Sequence, residues 1–350
     1  MIVMMVILTD CALPDSNDSE TKSQTSTRIE QSQLPWLQEW FSAWELVSTK
    51  VFKLQNSRAP EMVFFDATYV YTTSNISAPT GQAFEGPRLF GEQLPWLKQP
   101  HNGTITLPDG KKIPVKIVAF AAPLKGSDRK AFFVMGAPDF WASKGEKSKE
   151  LGLKNHLTGV FLHEFSHTRQ FMVMNNEMES LDKKYSFEKV EGSGQVKIGD
   201  DMVQENFRHD STYVRLFNQE VYTFYQAYFE KDNKKARALI RQGLFLLHKR
   251  QGSYLVKEKE VFKGLDDVWL TIEGMGQYAM VAWLIHPKGG NVPLEKAIEG
   301  ARRGREWWSQ DEGLVLALLV AKFTEPDWSG AVFDRKFNSL ASMLEEQNRD

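Results

Sequence analysis

Two histidines and a glutamate stand in the order HExxH within the apolar stretch LTGVFLHEFSHTRQF: His163, Glu164 and His167. At 3.6 residues per turn, the two histidines lie about 40° apart on one face of a helix, so both imidazoles can reach the same ion. Glu164 lies one residue further round, beside the ion, where a general base for a metal-activated water is needed. The spacing therefore predicts a metal site with an adjacent base.

The residue types in the chain indicate which metal this site takes. Cys11 is the single cysteine, so no internal disulfide and no site built from several thiolates can form. Two imidazoles and a carboxylate suit zinc and leave a fourth position for water, whose pKa falls from about 15.7 to about 7. We therefore expect one Zn²⁺ ion as the cofactor.

A third ligand is expected where a carboxylate stands alone in an apolar helix. Glu273 is the only charged residue of VWLTIEGMGQYAMVAWLI, residues 268–285. An ionised carboxylate in such surroundings is costly unless it binds a metal or pairs with a cation, and an arginine partner is the structural alternative. Gly274 and Gly276 follow, and glycines inside a helix indicate the close approach of another element or of a substrate.

Glu220 is the alternative to Glu273 as the third metal ligand. It falls on the apolar stripe of the segment 211–230, so it too is expected to face inward. There it would serve as an alternative ligand or as a partner that orients a histidine. Three further side chains are candidates for stabilising an oxyanion, and the sequence does not choose among them: Tyr278, Tyr222 and His209.

HEFSH followed by a helical IEGMGQY resembles the gluzincin type of zinc metallopeptidase, in which a second helix supplies a Glu-Gly ligand with a tyrosine a few residues on. The resemblance implies His163, His167 and Glu273 as zinc ligands and Glu164 as the base that activates water for peptide cleavage. Thermolysin-like members place their glutamate shortly after the second histidine, whereas a long interval separates the two motifs here. The resemblance also implies that an edge strand, here 131–138, holds an extended peptide; a plain core strand is the alternative.

The segments around these motifs predict an α+β fold. Tryptophans recur at helical spacing after residue 35, and β-branched and aromatic residues dominate 62–73 and 131–138. The turn at 108–110 between two apolar runs predicts a hairpin. Sheet first and helices after predict an α+β unit with a small, mainly antiparallel sheet and a helical C-terminal part, and the resemblance implies that this unit is zincin-like. Helices are expected near 155–177, 211–230, 233–250, 258–286, 312–323 and 336–347.

The beginning of the chain is typical of an exported protein. Its apolar start, 1–8, is too short to span a bilayer, which takes about 20 residues, but it fits the core of a signal peptide. LTDC resembles a lipobox, although Asp10 stands where a small residue is expected, and it makes Cys11 a candidate for lipidation. The sequence thus predicts a leader and disordered tether over 1–34 and an extracytoplasmic location, periplasmic or membrane-tethered. A single metallopeptidase-like unit follows over 35–350, with an N-terminal lobe, 35–180, and a helical lobe, 181–350.

Composition excludes several other classes of function. With 43 basic and 45 acidic side chains, the chain lacks the positive field of a nucleic-acid-binding protein. It has no GxSxG, no Walker A motif and no GxGxxG after a strand. We expect a zinc-dependent hydrolase, a metallopeptidase acting on a peptide or protein. The alternatives are a zincin-fold protein with a non-peptide substrate or lost catalysis, and a non-enzymatic helical lipoprotein whose HExxH is fortuitous.

Overall fold

A computed structural model of the chain describes residues 34–55, 59–126, 131–192, 198–199, 201–324, 328–333 and 337–348. The predicted signal sequence, the tether and the lipidation site at Cys11 lie outside these residues. Among the helices that are described, none combines the length and the apolar character needed to cross a membrane.

The strands all precede the long helices, as the sequence predicts. The described strands are Glu61–Phe65 (β1), Tyr69–Thr72 (β2), Gln82–Ala83 (β3), Arg88–Leu89 (β4), Glu92–Gln93 (β5), Leu97–Pro100 (β6), Thr104–Thr106 (β7), Lys112–Pro114 (β8), Ala119–Pro123 (β9) and Ala131–Gly136 (β10). Six of them form one sheet in the order β3-β6-β2-β1-β10-β9, in which only β1 and β10 pair in parallel. The mainly antiparallel sheet is therefore confirmed.

The hairpin predicted around residues 108–110 is also present. β7 pairs antiparallel with β8, with Ile105 opposite Ile113. Gly110 has a φ of +83°, a left-handed conformation that glycine adopts without a steric penalty. The Gly at this turn is thus explained by its backbone conformation.

The expected edge-strand role of the segment 131–138 is wrong. β10 lies between β1 and β9, and every one of its residues is buried. A continuous apolar run such as AFFVMG is typical of a strand covered on both faces. At this side of the sheet the edge is β9, which packs against the helix that carries HExxH.

Each predicted helical segment contains a described helix, and five short described helices lie outside the predicted segments. They are Pro35–Leu46 (α1), Pro138–Ser143 (α2), Gly152–Tyr185 (α3), Phe187–Gly192 (α4), Met202–Phe207 (α5), Ser211–Phe229 (α6), Asn233–Tyr254 (α7), Val261–Ile285 (α8), Leu294–Ala301 (α9), Trp308–Phe323 (α10), Ser329–Phe333 (α11) and Leu340–Glu346 (α12). Asp210 and Asp232 start α6 and α7, where each carboxylate accepts hydrogen bonds from two backbone N–H groups of the first turn. The α+β class is therefore confirmed.

Helices α3 and α8 form the centre of the molecule. α3 packs on β9 and β10 on one side and along α8 on the other, and α10 covers the far side of α8. Gly159 of α3 lies against Met280 of α8, and a Cβ at Gly274 would collide with the Gly313 carbonyl of α10. The predicted lobe boundary at 180/181 falls inside α3, which continues to Tyr185. One hydrophobic core extends across that boundary.

Candidate metal centre

The HExxH residues lie together in the buried middle of α3. His163, Glu164 and His167 are at most 4 % exposed, and one ligand atom from each lies within 4.8 Å of the others. The two imidazole rings are 4.8 Å apart and nearly perpendicular, at 87°. A helical turn of backbone between the histidines produces this arrangement. The three side chains form a group that can hold a metal ion.

Glu273 of α8 reaches the same point from the opposite helix. Its Oε2 lies 3.1 Å from Nε2 of His163, and its Oε1 lies 4.0 Å from Nε2 of His167. The Glu273 side chain is fully buried. The structure thus brings together the two histidines and the carboxylate that stood alone in its apolar helix, although the residues come from distant parts of the chain.

The converging atoms lack the hydrogen bonds that buried polar groups normally have. Among the described residues, Nε2 of His163, Nε2 of His167 and both carboxylate oxygens of Glu273 lack a hydrogen bond of good geometry, although the Gln310 side chain interacts with the Glu273 carboxylate and lowers its pKa. Buried polar groups are satisfied in more than about 90 % of cases, so several unsatisfied atoms at one point need an explanation. A cation bound between them supplies the missing interactions. The donor set therefore fits a metal ion.

The protonation states of the two histidines also suit metal binding. Burial, with a smaller contribution from the positive charge of Arg303, lowers the pKa of His163 to about 3. Burial and the neighbouring His163 lower the pKa of His167 to about 4. Both rings are therefore neutral near pH 7, which is the form that binds a metal. Burial raises the pKa of Glu273, against the attraction of His167.

Gln170 orients the second histidine. Nδ1 of His167 lies 2.7 Å from Oε1 of Gln170, and because a carbonyl oxygen only accepts, Nδ1 carries the proton. The lone pair then resides on Nε2, which faces Glu273. Such a partner fixes the tautomer and the ring orientation of a metal-ligating histidine.

Gly276 makes room for the first histidine. A Cβ at this position would lie 2.8 Å from Nδ1 and 2.9 Å from Cε1 of His163. Real Cβ atoms do not approach that closely, so any side chain here would push the ring aside. The glycines after Glu273 are thus explained by close approach: Gly276 to the ligand ring and Gly274 to α10.

A Gly276→Ala variant tests this packing. We expect zinc affinity to fall by about tenfold or more, the scale found when a ligand loses its orientation. The matched control is Gly252→Ala in α7, where an added Cβ meets nothing within 4 Å. There alanine is expected to stabilise the helix by about 0.5–1 kcal/mol without changing zinc affinity. Calorimetric zinc titration of both variants gives the comparison, and equal affinities would contradict the proposed role of Gly276.

Glu220, the alternative ligand, lies in a separate buried cluster. Its carboxylate accepts two hydrogen bonds from the guanidinium of Arg250, at 2.8 and 2.9 Å. Arg250 also contacts Glu312 at 3.2 Å and Asp266 at 3.5 Å. The prediction that Glu220 faces inward is confirmed by its complete burial. The partner of Glu220, however, is an arginine and not a metal-binding histidine. An arginine partner had been the structural alternative to metal binding for Glu273.

The three oxyanion candidates lie apart from the histidine pair. Tyr222 is 64 % exposed on the surface of α6. His209 is exposed beside Arg208, just before that helix. Tyr278 packs against the rings of Phe52 and Trp328. Within the described part of the chain, none of the three makes a hydrogen bond or ring contact with a metal-site residue.

No sequence pattern singled out Arg303, whose positive charge acts on residues of the site. Its charge interacts with the carboxylates of Glu164 and Glu273 and with the ring of His163. It follows α9 in the polar stretch ARRGREWW, where several arginines stand together and nothing in the pattern distinguishes one of them. Its effect on these groups depends on where the fold places the turn after α9.

Comparison of the chain with known protein families, with curated proteins and with solved structures finds no match. The function must therefore be inferred from the geometry of the site itself.

Proposed function

We propose that this chain is a zinc-dependent hydrolase, a metallopeptidase with a zincin-like arrangement of α3 and α8. The observation that carries the proposal is the position of Glu273, whose carboxylate meets the Nε2 atoms of His163 and His167 at 3.1 and 4.0 Å. Two imidazoles and one carboxylate are the protein ligands found at catalytic zinc sites of the peptidase type. Such sites keep a position open for chemistry, whereas structural zinc sites have four protein ligands.

Each residue has a distinct part in the proposed reaction. His163, His167 and Glu273 would hold the ion, which supplies a Lewis acid that polarises a carbonyl group and lowers the pKa of water. Glu164 lies beside the ligands on the same helix and takes a proton from the attacking water. It then passes that proton to the leaving amine as the peptide bond breaks. Gln170 keeps His167 in its ligating tautomer throughout.

The remaining parts of the proposal concern substrate and location. The resemblance of HEFSH and IEGMGQY to the zinc metallopeptidases is the basis for the substrate class. This favours a peptide or protein substrate. The apolar start of the chain and the lipobox-like LTDC support an extracytoplasmic hydrolase tethered through Cys11.

A Glu164→Gln variant tests the proposed reaction. It is expected to bind zinc as tightly as the wild type and to lose at least about 100-fold in peptide hydrolysis, since a general base contributes about 10²–10⁴-fold. Glu179→Gln, an exposed glutamate on the same helix, is the matched control and should retain full activity. Hydrolysis of a peptide library is followed by mass spectrometry at equal zinc loading. Undiminished cleavage by Glu164→Gln would remove Glu164 from its role, and zinc-loaded wild type that cleaves nothing would contradict the proposal.

A further inference from the structure

The first turn of α10 places three polar residues in the interior of the protein. Gln310, Asp311 and Glu312 are each at most 6 % exposed, although the helix continues as the apolar run GLVLALLV. Buried polar groups in such surroundings need hydrogen-bond partners, because without them they destabilise the fold. The partners of these three side chains therefore indicate what the turn does.

Two of the three residues hold the start of the helix in place. The Asp311 carboxylate accepts hydrogen bonds from Arg302 at 2.6 and 3.1 Å and from the hydroxyl of Tyr225 at 3.0 Å. Glu312 lies 3.2 Å from the guanidinium of Arg250. These contacts reach α6, α7 and the turn after α9, so the start of α10 is fixed against three other segments.

The third residue, Gln310, contacts α8 on the face that carries the proposed third ligand. Its Oε1 accepts a hydrogen bond of 2.7 Å from Nε2 of Gln277, and both side chains are buried. Gln277 lies one turn after Glu273, so these two side chains share one face of α8. The two helices are in close contact at Gly274 and Gly313, where a Cβ on either glycine would collide with the other helix. This packing brings Gln310 beside Glu273.

The side chain of Gln310 also interacts with the Glu273 carboxylate. As a metal ligand this carboxylate is ionised and only accepts hydrogen bonds, so the NH₂ group of the Gln310 amide must face it. The opposite orientation would place two acceptor oxygens against each other. With its NH₂ group toward Glu273, the amide turns its oxygen toward Gln277, which is the arrangement in the structure. The two contacts of Gln310 are therefore consistent with one amide orientation.

We propose that Gln310 is the positioning residue for the third metal ligand: its NH₂ group holds the Glu273 carboxylate toward the two histidines, and Gln277 holds the Gln310 amide in that orientation. This inference rests on the proposed function, in which Glu273 binds zinc. Carboxylates that bind a metal are themselves hydrogen-bonded, and such partners orient the ligand. Gln170 plays the corresponding part for His167.

Glutamine-to-methionine variants test the assignment through zinc affinity, measured by competition against a calibrated chelator. Methionine keeps the length of the side chain and removes the amide. Gln310→Met is expected to bind zinc about 10–100-fold more weakly than the wild type, the range found when the partner of a ligand is lost. Gln310→Ala, which is too small to clash, should lose as much. Gln277→Met keeps the donor on Gln310 and should lose less; a larger loss than in Gln310→Met would overturn the assignment of the donor to Gln310.

Gln251→Met is the matched control. Gln251 is a buried glutamine of α7 whose amide nitrogen lies 3.3 Å from the Asp266 carboxylate and 3.4 Å from that of Asp267. Its replacement removes the same kind of contact far from the histidine pair in sequence, and it should lower stability and leave zinc affinity unchanged. Wild-type affinity in both Gln310→Met and Gln310→Ala would overturn the assignment. An equal loss in Gln251→Met would also overturn it, because the loss would then follow from general destabilisation.

The visible absorption spectrum of the protein loaded with Co²⁺ adds a readout that a merely structural role would not change. Its bands respond to the number and geometry of the ligands around the ion. At saturating Co²⁺, Gln310→Met should differ in spectrum from the wild type, whereas Gln251→Met should match it. A wild-type spectrum in Gln310→Met would overturn the positioning role.

These measurements separate failure of this inference from failure of the proposed function. Zinc-loaded wild type that cleaves no peptide would contradict the hydrolase function, while the affinity comparison would still test Gln310. Wild type that binds zinc and cleaves peptides, with unchanged zinc affinity in the Gln310 variants, would overturn the positioning role alone. Wild type that binds no zinc would overturn both.

Discussion

Replacing Glu273 by alanine is expected to lower zinc affinity by about 100- to 4,000-fold. Binding free energies for protein zinc sites are about 10–16 kcal/mol, so one of three protein ligands accounts for about 3–5 kcal/mol if they share it equally. The Glu273 carboxylate is the oxygen donor that lies within 4.0 Å of both imidazole Nε2 atoms. When the carboxylate is removed, water must fill its position in the ligand set.

Glu220→Ala is the matched control, because it tests whether the loss of zinc affinity is specific to Glu273. Both glutamates are fully buried on helices, and the sequence made both of them candidates for the third metal ligand. Because Glu220 is bonded to Arg250 and not to a histidine, its removal should leave zinc affinity of the folded protein unchanged. Competition against a calibrated zinc chelator measures both variants. If Glu220→Ala lost more zinc affinity than Glu273→Ala, the third ligand would have to be reassigned.

Arg250→Met is expected to destabilise the fold by about 3–5 kcal/mol, the cost of breaking a buried ion pair from one side. Burial lowers the pKa of Arg250, but attraction to Glu220 and Glu312 outweighs burial and holds it well above its usual range. Burial, together with repulsion from Glu220, raises the pKa of Glu312 well above its usual range. Removing the arginine leaves the carboxylate of Glu220 buried without its partner.

Urea unfolding at neutral pH measures this loss. The matched control is Lys249→Met, since Lys249 is the exposed neighbour on the same helix and should change stability by no more than about 0.5 kcal/mol. An Arg250→Met variant as stable as the wild type would contradict this prediction. It would mean that the methionine side chain packs well enough to replace the buried ion cluster. The zinc affinity of folded Arg250→Met should match that of the wild type, because the cluster and the metal site share no residue.

Local patterns in the sequence were sufficient to predict part of the site. HExxH depends only on helical periodicity, so the positions of His163, Glu164 and His167 on one buried helix follow directly. Glu273 could be selected because a lone charge in an apolar helix must have a partner. Glu220 was selected by a different rule, because it falls on the apolar stripe of its helix and so faces inward. The choice between them depends on Arg250, which α7 brings to one glutamate and not to the other.

Features that depend on long-range packing could not be predicted. The segment 131–138 precedes the HExxH helix, but whether it lies at an edge or inside the sheet depends on its pairing with β1 and β9. Arg303 is one of several arginines in a polar stretch, and its effect on the pKa of His163 depends on where the turn after α9 lies in the fold, which no local pattern predicts.

The zinc content of the purified chain tests the central claim most directly. We predict about one zinc ion per wild-type chain after dialysis against a weak chelator, measured by inductively coupled plasma mass spectrometry. The same protein carrying His163→Ala, with folding verified by circular dichroism, should retain almost none. Wild type without stoichiometric zinc, or a His163→Ala variant that binds zinc as fully as the wild type, would contradict a metal centre built from His163, His167 and Glu273.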